Sequence, residues 1–251
     1  MNHMEMAKDM NLPEFSEEYM KENVFMVMVN TESNEKLLAD IPHRDVNDCS
    51  VIYRLMIENE PDGITSTVVT NELAELAGMN EQEIFSVASE NTKRILPVKI
   101  QSMSEILAGM MTKDGMPEEI AETLMTEIGA IDMPMWVITN ENGINGAINM
   151  LYDENLQMVA EKLDSDLYIL PSSIHEVICV PTRLGEPEEL TEMVQEANIS
   201  CVALEDRLSN QVYHYDKELR KLTMATDTPD KRIDKMVAEQ PLIYEAKEQK
   251  R

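Results

Sequence analysis

The chain has 251 residues, 43% of them hydrophobic and 27% charged, a balance that belongs to a folded globular protein and excludes a disordered one. Its 48 acidic and 21 basic residues leave a formal charge of −27 at neutral pH. In that field counterion release works against nucleic-acid binding, and anionic membrane surfaces are disfavoured for the same reason.

The length suggests two sub-domains, each able to bury a core. Three cysteines, Cys49, Cys179 and Cys201, form an odd set without metal-type pairing, which points to a reducing compartment. No basic region precedes an apolar segment at the start, and the Val24 to Val29 run is far too short to span a bilayer. The expected location is therefore cytoplasmic. Only 4% of residues are aromatic while methionines number 21, so flexible thioethers fill much of the core, with some left for a contact surface.

In chain order, Met1 to Asn11 has no clear periodicity and reads as an artificial or alternative start to something longer. A short helix is predicted over Phe15 to Met20, then a strand over Val24 to Val29 and a helix over Asn34 to Ala39 capped by Ser33. His43, Arg44 and Asp45 read as a polar loop. Cys49 to Glu58 and Ile64 to Val69 are strand-type runs across a Pro61, Asp62, Gly63 turn. Thr70 and Asn80 are cap-type residues before two helices, the first closed by Gly78. Ile95 to Ile100 is extended around Pro97. Two more helices, Ser104 to Met111 and Pro117 to Ile128, flank a Lys113, Asp114, Gly115 break.

Pro134 marks a change of regime. Met135 to Thr139 and Ile144 to Tyr152 read as a hairpin across Asn140 to Gly143. The best-specified unit follows: Leu167 to Pro181 (LYILPSSIHEVICVP), two apolar runs across a polar turn at Pro171, Ser172 and Ser173. Val177 to Val180 is apolar without alternation, as expected of a central strand covered on both faces. Leu156, Val159, Ala160 and Leu163 before it, and Leu190, Met193, Val194 and Ala197 after it, each give a helix one apolar stripe. Val212 to Tyr215 and Leu219 to Met224 are two further strands across Asp216, Lys217 and Glu218. The expected organisation is α+β: antiparallel or mixed sheets backed by helices, an N-terminal part over residues 13–130, a C-terminal part over 131–225, and a mobile charged tail over 226–251. Asn34 to Ile57 and Asn155 to Val180 loosely echo each other.

Several stretches, IPHRDVNDCSVIYR (Ile41 to Arg54), VTNELAELAGMNEQEIFSVASENT (Val69 to Thr92), ITNENGINGAINMLY (Ile138 to Tyr152), DLYILPSSIHEVI (Asp166 to Ile178) and LSNQVYHYDKELRKL (Leu208 to Leu222), together with KDGMPEEI (Lys113 to Ile120), resemble an uncharacterised domain-of-unknown-function family common in gut-type anaerobic bacteria. More distantly the chain resembles the YtpQ-like proteins, through Thr70 to Asn91 and Asn149 to Val180. The resemblance implies a further N-terminal segment that this chain lacks, and it carries no catalytic residue with it.

Candidate chemistry is sparse. Ser173 and His175 lie two apart with Glu176 adjacent, a superficial Ser-His-acid set, but a nucleophilic serine needs an exposed elbow beside oxyanion donors and Pro171-Ser172-Ser173 offers none. Turn hydrogen bonds, and a strand-end histidine satisfied by backbone, explain the same residues. His43, Arg44, Asp45, Asp48 and Cys49 form the densest polar cluster, and His214 and Asp216 could add ligands. No metal-ligand spacing fixes that geometry, and a salt bridge of Arg44 with nearby carboxylates is the simpler expectation. The glycines make no phosphate loop. Tyr213 and Tyr215 read as one face of a two-sided strand.

The expected function is that of a non-enzymatic cytoplasmic interaction or regulatory protein, with another protein as partner, no cofactor, no metal, and binding at His43, Arg44, Asp45 and Asp48. The alternative is a small hydrolase or metal-dependent enzyme using His43 or His175 with nearby carboxylates, with Asp45, Ser173 and Glu176 as further candidates.

Overall fold

The computed structural model describes residues 16–60, 63–127 and 134–226. The Met1 to Asn11 start, the Pro61-Asp62 step and the tail beyond Thr226 lie outside those residues. The fold is α+β, with two antiparallel sheets. Helix α1 (Glu17–Asn23) is capped by Ser16, whose hydroxyl accepts from the Tyr19 amide. It leads into β1 (Val24–Asn30), whose first five residues are all buried. The expected Ser33 cap is not used: Thr31 precedes a 3-10 turn at Glu32–Asn34, and α2 (Glu35–Leu38) follows.

Strands β2 (His43–Val46), β3 (Cys49–Glu60) and β4 (Gly63–Val68) complete the first sheet. Strand β1 pairs with one edge of β3, and β2 and β4 share the other. Helix α3 (Asn71–Ala77) is capped by Thr70 and closed by left-handed Gly78. Helix α4 (Glu81–Ile95) opens on a capping box between Asn80 and Glu83. It lies on β1, where the buried Thr92 hydroxyl accepts from the Met26 amide at 2.8 Å.

The second sheet runs β10-β9-β7-β8-β6-β5. Its members are β5 (Val98–Ser102), β6 (Trp136–Asn140), β7 (Leu167–Leu170), β8 (Val177–Pro181), β9 (Tyr213–Asp216) and β10 (Lys221–Met224). Between β5 and β6 come α5 (Met103–Lys113) and α6 (Glu118–Glu127). Helix α7 (Asp153–Leu163) precedes β7, and α8 (Pro187–Ser200) follows β8. The expected division near residue 130 falls between β5 and β6, which are neighbours in this sheet.

Leu167 to Pro181 does form the central pair, and the reason Val177 to Val180 lacks alternation is visible. Leu167, Ile169, Val177 and Cys179 face the main core with α7, while Leu170 and Val180 face a second cluster under α8, with Tyr168 and Ile178 packed against it. In α8 the buried stripe is Leu190, Thr191, Val194 and Asn198, so Met193 is exposed instead of being a core residue. The main core is continuous from β1 and β3 to β7 and β9.

Two expectations fail for the same physical reason: a strand exists only where an edge is free to pair. Ile144 to Tyr152 does not return as a strand, because β6 is already paired by β5 on one side and β8 on the other. The segment folds instead into a 3-10 turn at Gly146–Leu151, after Asn145 in the left-handed region. Conversely, His43 to Asp45 is no loop. Asn47, at φ 58°, closes a two-residue turn with Asp48, and β2 takes the open edge of β3.

Candidate interaction surface

The His43 to Cys49 cluster separates into two structural arrangements. On β2, the Arg44 guanidinium grips Glu81 at the start of α4 with two bonds of 2.9 and 3.1 Å and stacks 3.7 Å over the Phe85 ring. Glu81 also accepts from the Tyr53 hydroxyl. Burial works against the charged Glu81, but the bonds from Arg44 and Tyr53 hold its carboxyl below the usual range. Burial, then the Glu81 bond, pushes the Tyr53 phenol well up. The expected salt bridge of Arg44 is thus real, though its carboxylate comes from a helix 37 residues away. His43 Nδ1 lies 3.0 Å from the Ile41 carbonyl, and its Nε2 lies 3.8 Å from Asp45, which accepts from Ser50. His43 lines an open cleft of about 390 Å³ with Ile41, Pro42, Ala74, Met79 and Glu81.

Asp48 turns the other way and ties the two sheets together. It accepts from the Tyr213 hydroxyl and, at 2.6 Å, from the Ser209 hydroxyl. The buried Cys49 thiol sits 3.7 Å from Asp48 and 3.6 Å from the Tyr213 oxygen. Burial first, then neighbouring Asp48, raises the Cys49 thiol far above its ordinary range, which removes it as a nucleophile at neutral pH.

Ser173 and His175 are not on a strand face. They lie in the connection between β7 and β8, whose backbone is claimed by Asp206, Leu208 and Ser209 on one side and by Gly146 and Ala147 on the other. The Ser173 hydroxyl accepts from the His175 amide, not from its ring. His175 Nδ1 accepts from the Asn145 amide at 3.2 Å, which leaves Nε2 to face Asp206 at 3.3 Å. Its lone pair is therefore occupied and cannot take a proton from Ser173. Glu176 points to solvent. His214 faces Asp166 at 3.7 Å and packs on Tyr168, while Asp216 caps the amides of Glu218 and Leu219. His43, His175 and His214 thus have separate partners. Among the described residues, no group of three or more His, Cys, Asp or Glu side chains is placed to hold a metal ion.

Sequence reasoning expected the two helices α5 and α6 but passed over the exposure of the hairpin they form. Helix α5 opens on a capping box between Ser102 and Glu105 yet buries no residue. Its apolar positions, Met103, Ile106, Leu107, Met110 and Met111, follow the 3.6 period of a stripe meant for burial. In α6, Ala121 and Met125 are buried, but Ile120 and Leu124, on the adjoining flank, are exposed and half-exposed. Among the described residues, no side chain of either helix belongs to the two core clusters or packs on them. The hairpin holds itself together beside β5, with Met110 59% and Ile120 55% exposed. The signal was in the sequence: five of the methionines fall between Met103 and Met125.

A family model described as a family of unknown function (DUF5688) matches residues 1–217. The chain belongs to that family. Its match takes in the hairpin and both sheets as far as β9, and ends before β10. No curated protein and no solved structure matches the chain. Among the described residues no helix is long and apolar enough to cross a membrane.

Proposed function

We propose that the chain is a non-enzymatic interaction or regulatory protein of the cytoplasm that works by binding another protein through α5 and α6. The observation that carries this reading is the apolar stripe of a helical hairpin left outside both cores. Supporting it, Ser173, His175 and Asp48 are each engaged in bonds that hold the fold together. Cys49 and Cys179, buried as free thiols, fit a reducing compartment. The net charge of −27 argues against nucleic acid as the partner. The test is a photo-reactive side chain placed at Met110 and, as a control, at Leu219, which is 74% exposed at the opposite edge of the second sheet. A discrete adduct formed in native lysate from position 110 and not from 219 is expected. Adducts from neither position, or equally from both, would sink the reading.

One observation favours an enzyme instead: His43 opens onto the cleft beside Glu81. That Glu81 is committed to Arg44 and Tyr53 weighs against it as a working acid. A hydrolytic activity of the pure protein that is lost in His43→Ala would establish the enzymatic reading.

A further inference from the structure

We propose that the face of α5 and α6 receives an amphipathic helix whose apolar stripe is flanked by basic side chains. This rests on the reading of the hairpin as the protein-binding surface and adds the chemistry of what it binds.

Shape comes first. At 11 residues α5 is about 16 Å long, and on its stripe Met110 is exposed while Met103, Ile106, Leu107 and Met111 are half-buried. Helix α6 adds Ile120 and Leu124, the flank that its own packing on α5 leaves unused. Extended peptides are captured by pairing to a free strand edge, whereas stripes at helical period are met by another helix. Methionines, unbranched and polarizable, adapt to partner side chains of different shape.

Charge then separates the occupants. Asp114, Glu118, Glu119 and Glu127 are exposed on α6 and the turn that leads into it, Glu105 is exposed in the first turn of α5, and Lys113 is the one exposed base of the two helices. A second copy would bring these carboxylates against themselves on a chain already at −27, so self-association is opposed. An anionic membrane is opposed for the same reason. A helix bearing Lys or Arg beside its apolar stripe satisfies both features at once.

The test uses the full chain and three fluorescent peptides of equal length: a Leu/Lys peptide with apolar residues at helical period, the same composition scrambled, and a Leu/Glu peptide of the first pattern. Binding of the first at least about tenfold tighter than the other two is expected, with amide shifts centred on residues 103–127. Met110→Lys combined with Ile120→Lys, and separately Glu119→Lys with Glu127→Lys, should each weaken it about tenfold. All four residues are exposed, and far-UV circular dichroism is the check that the variants fold. Equal binding of the scrambled peptide, shifts elsewhere, or unchanged affinity in folded variants would overturn the proposal. So would a concentration-dependent dimer abolished by Met110→Lys, which would make the occupant a second copy. An adduct at position 110 to a partner segment without basic residues would overturn the basic-helix proposal while leaving the surface in place; absence of any adduct removes both.

Discussion

At the scale of single residues, polar groups that look reactive are held in bonds, and two consequences are measurable. Cys201 is exposed while Cys49 and Cys179 are buried with their thiols pushed up by desolvation. A maleimide should therefore label one cysteine rapidly in the native protein, and Cys201→Ser should abolish that phase; rapid labelling of two or three would contradict the burial. Glu81 gives a pH effect. Its folded-state carboxyl lies below its ordinary value, so its contribution to stability is present above the unfolded value and is lost as pH falls through the folded one. Arg44→Met should cost about 1–2 kcal/mol at pH 7 in urea unfolding and move the acid-unfolding midpoint upward. An unchanged acid midpoint would mean that the pair contributes no linkage. The cluster itself was legible from His43 to Cys49, but its carboxylate partner was not. Nothing in local spacing tells Arg44 to find a helix start 37 residues on.

At the scale of elements, caps and periodicity located most segments because they are local: Thr70 and Asn80 bind their own N3 amides as their residue types suggest. The two mistaken segments depended on what else the sheet had already taken. Strand β2 could have been read from Asn47-Asp48, a two-residue turn signal between pairing runs. The 3-10 turn at Gly146–Leu151 could not, since only the long-range pairing of β5 with β6 denies it an edge. Gly146 carries that arrangement. A Cβ there would overlap the His175 carbonyl and lie 2.7 Å from Thr139 Cα, both backbone atoms. Gly146→Ala should cost about 2–3 kcal/mol, whereas Gly109→Ala in α5, with open space around it, should be neutral or stabilising by up to about 1 kcal/mol. Chemical denaturation of the two variants gives the comparison, and a tolerated Gly146→Ala would show that the 3-10 turn can shift.

At the scale of the molecule, one core cluster passes through both sheets, and the Asp48 to Tyr213 bond crosses between them. Unfolding should follow one transition, with Trp136 fluorescence, which reports the six-stranded sheet, superimposing on far-UV circular dichroism. A fluorescence transition displaced from the dichroism would show that the two sheets unfold apart. The architecture was readable because alternation and helical stripes name their own buried faces. The hairpin was not read as a surface because an apolar stripe looks the same in sequence whether the chain covers it or leaves it bare. That the stripe sits outside both cores bears on how such a protein can change over time. On the proposed reading, substitutions at Met110 or Ile120 would alter what the surface recognises without touching the packing of Tyr53, Ile138 or Tyr213. Partner choice would then be free to drift or be retargeted while the scaffold's stability stays constant, a separation that a binding face built from core-supporting residues would not permit.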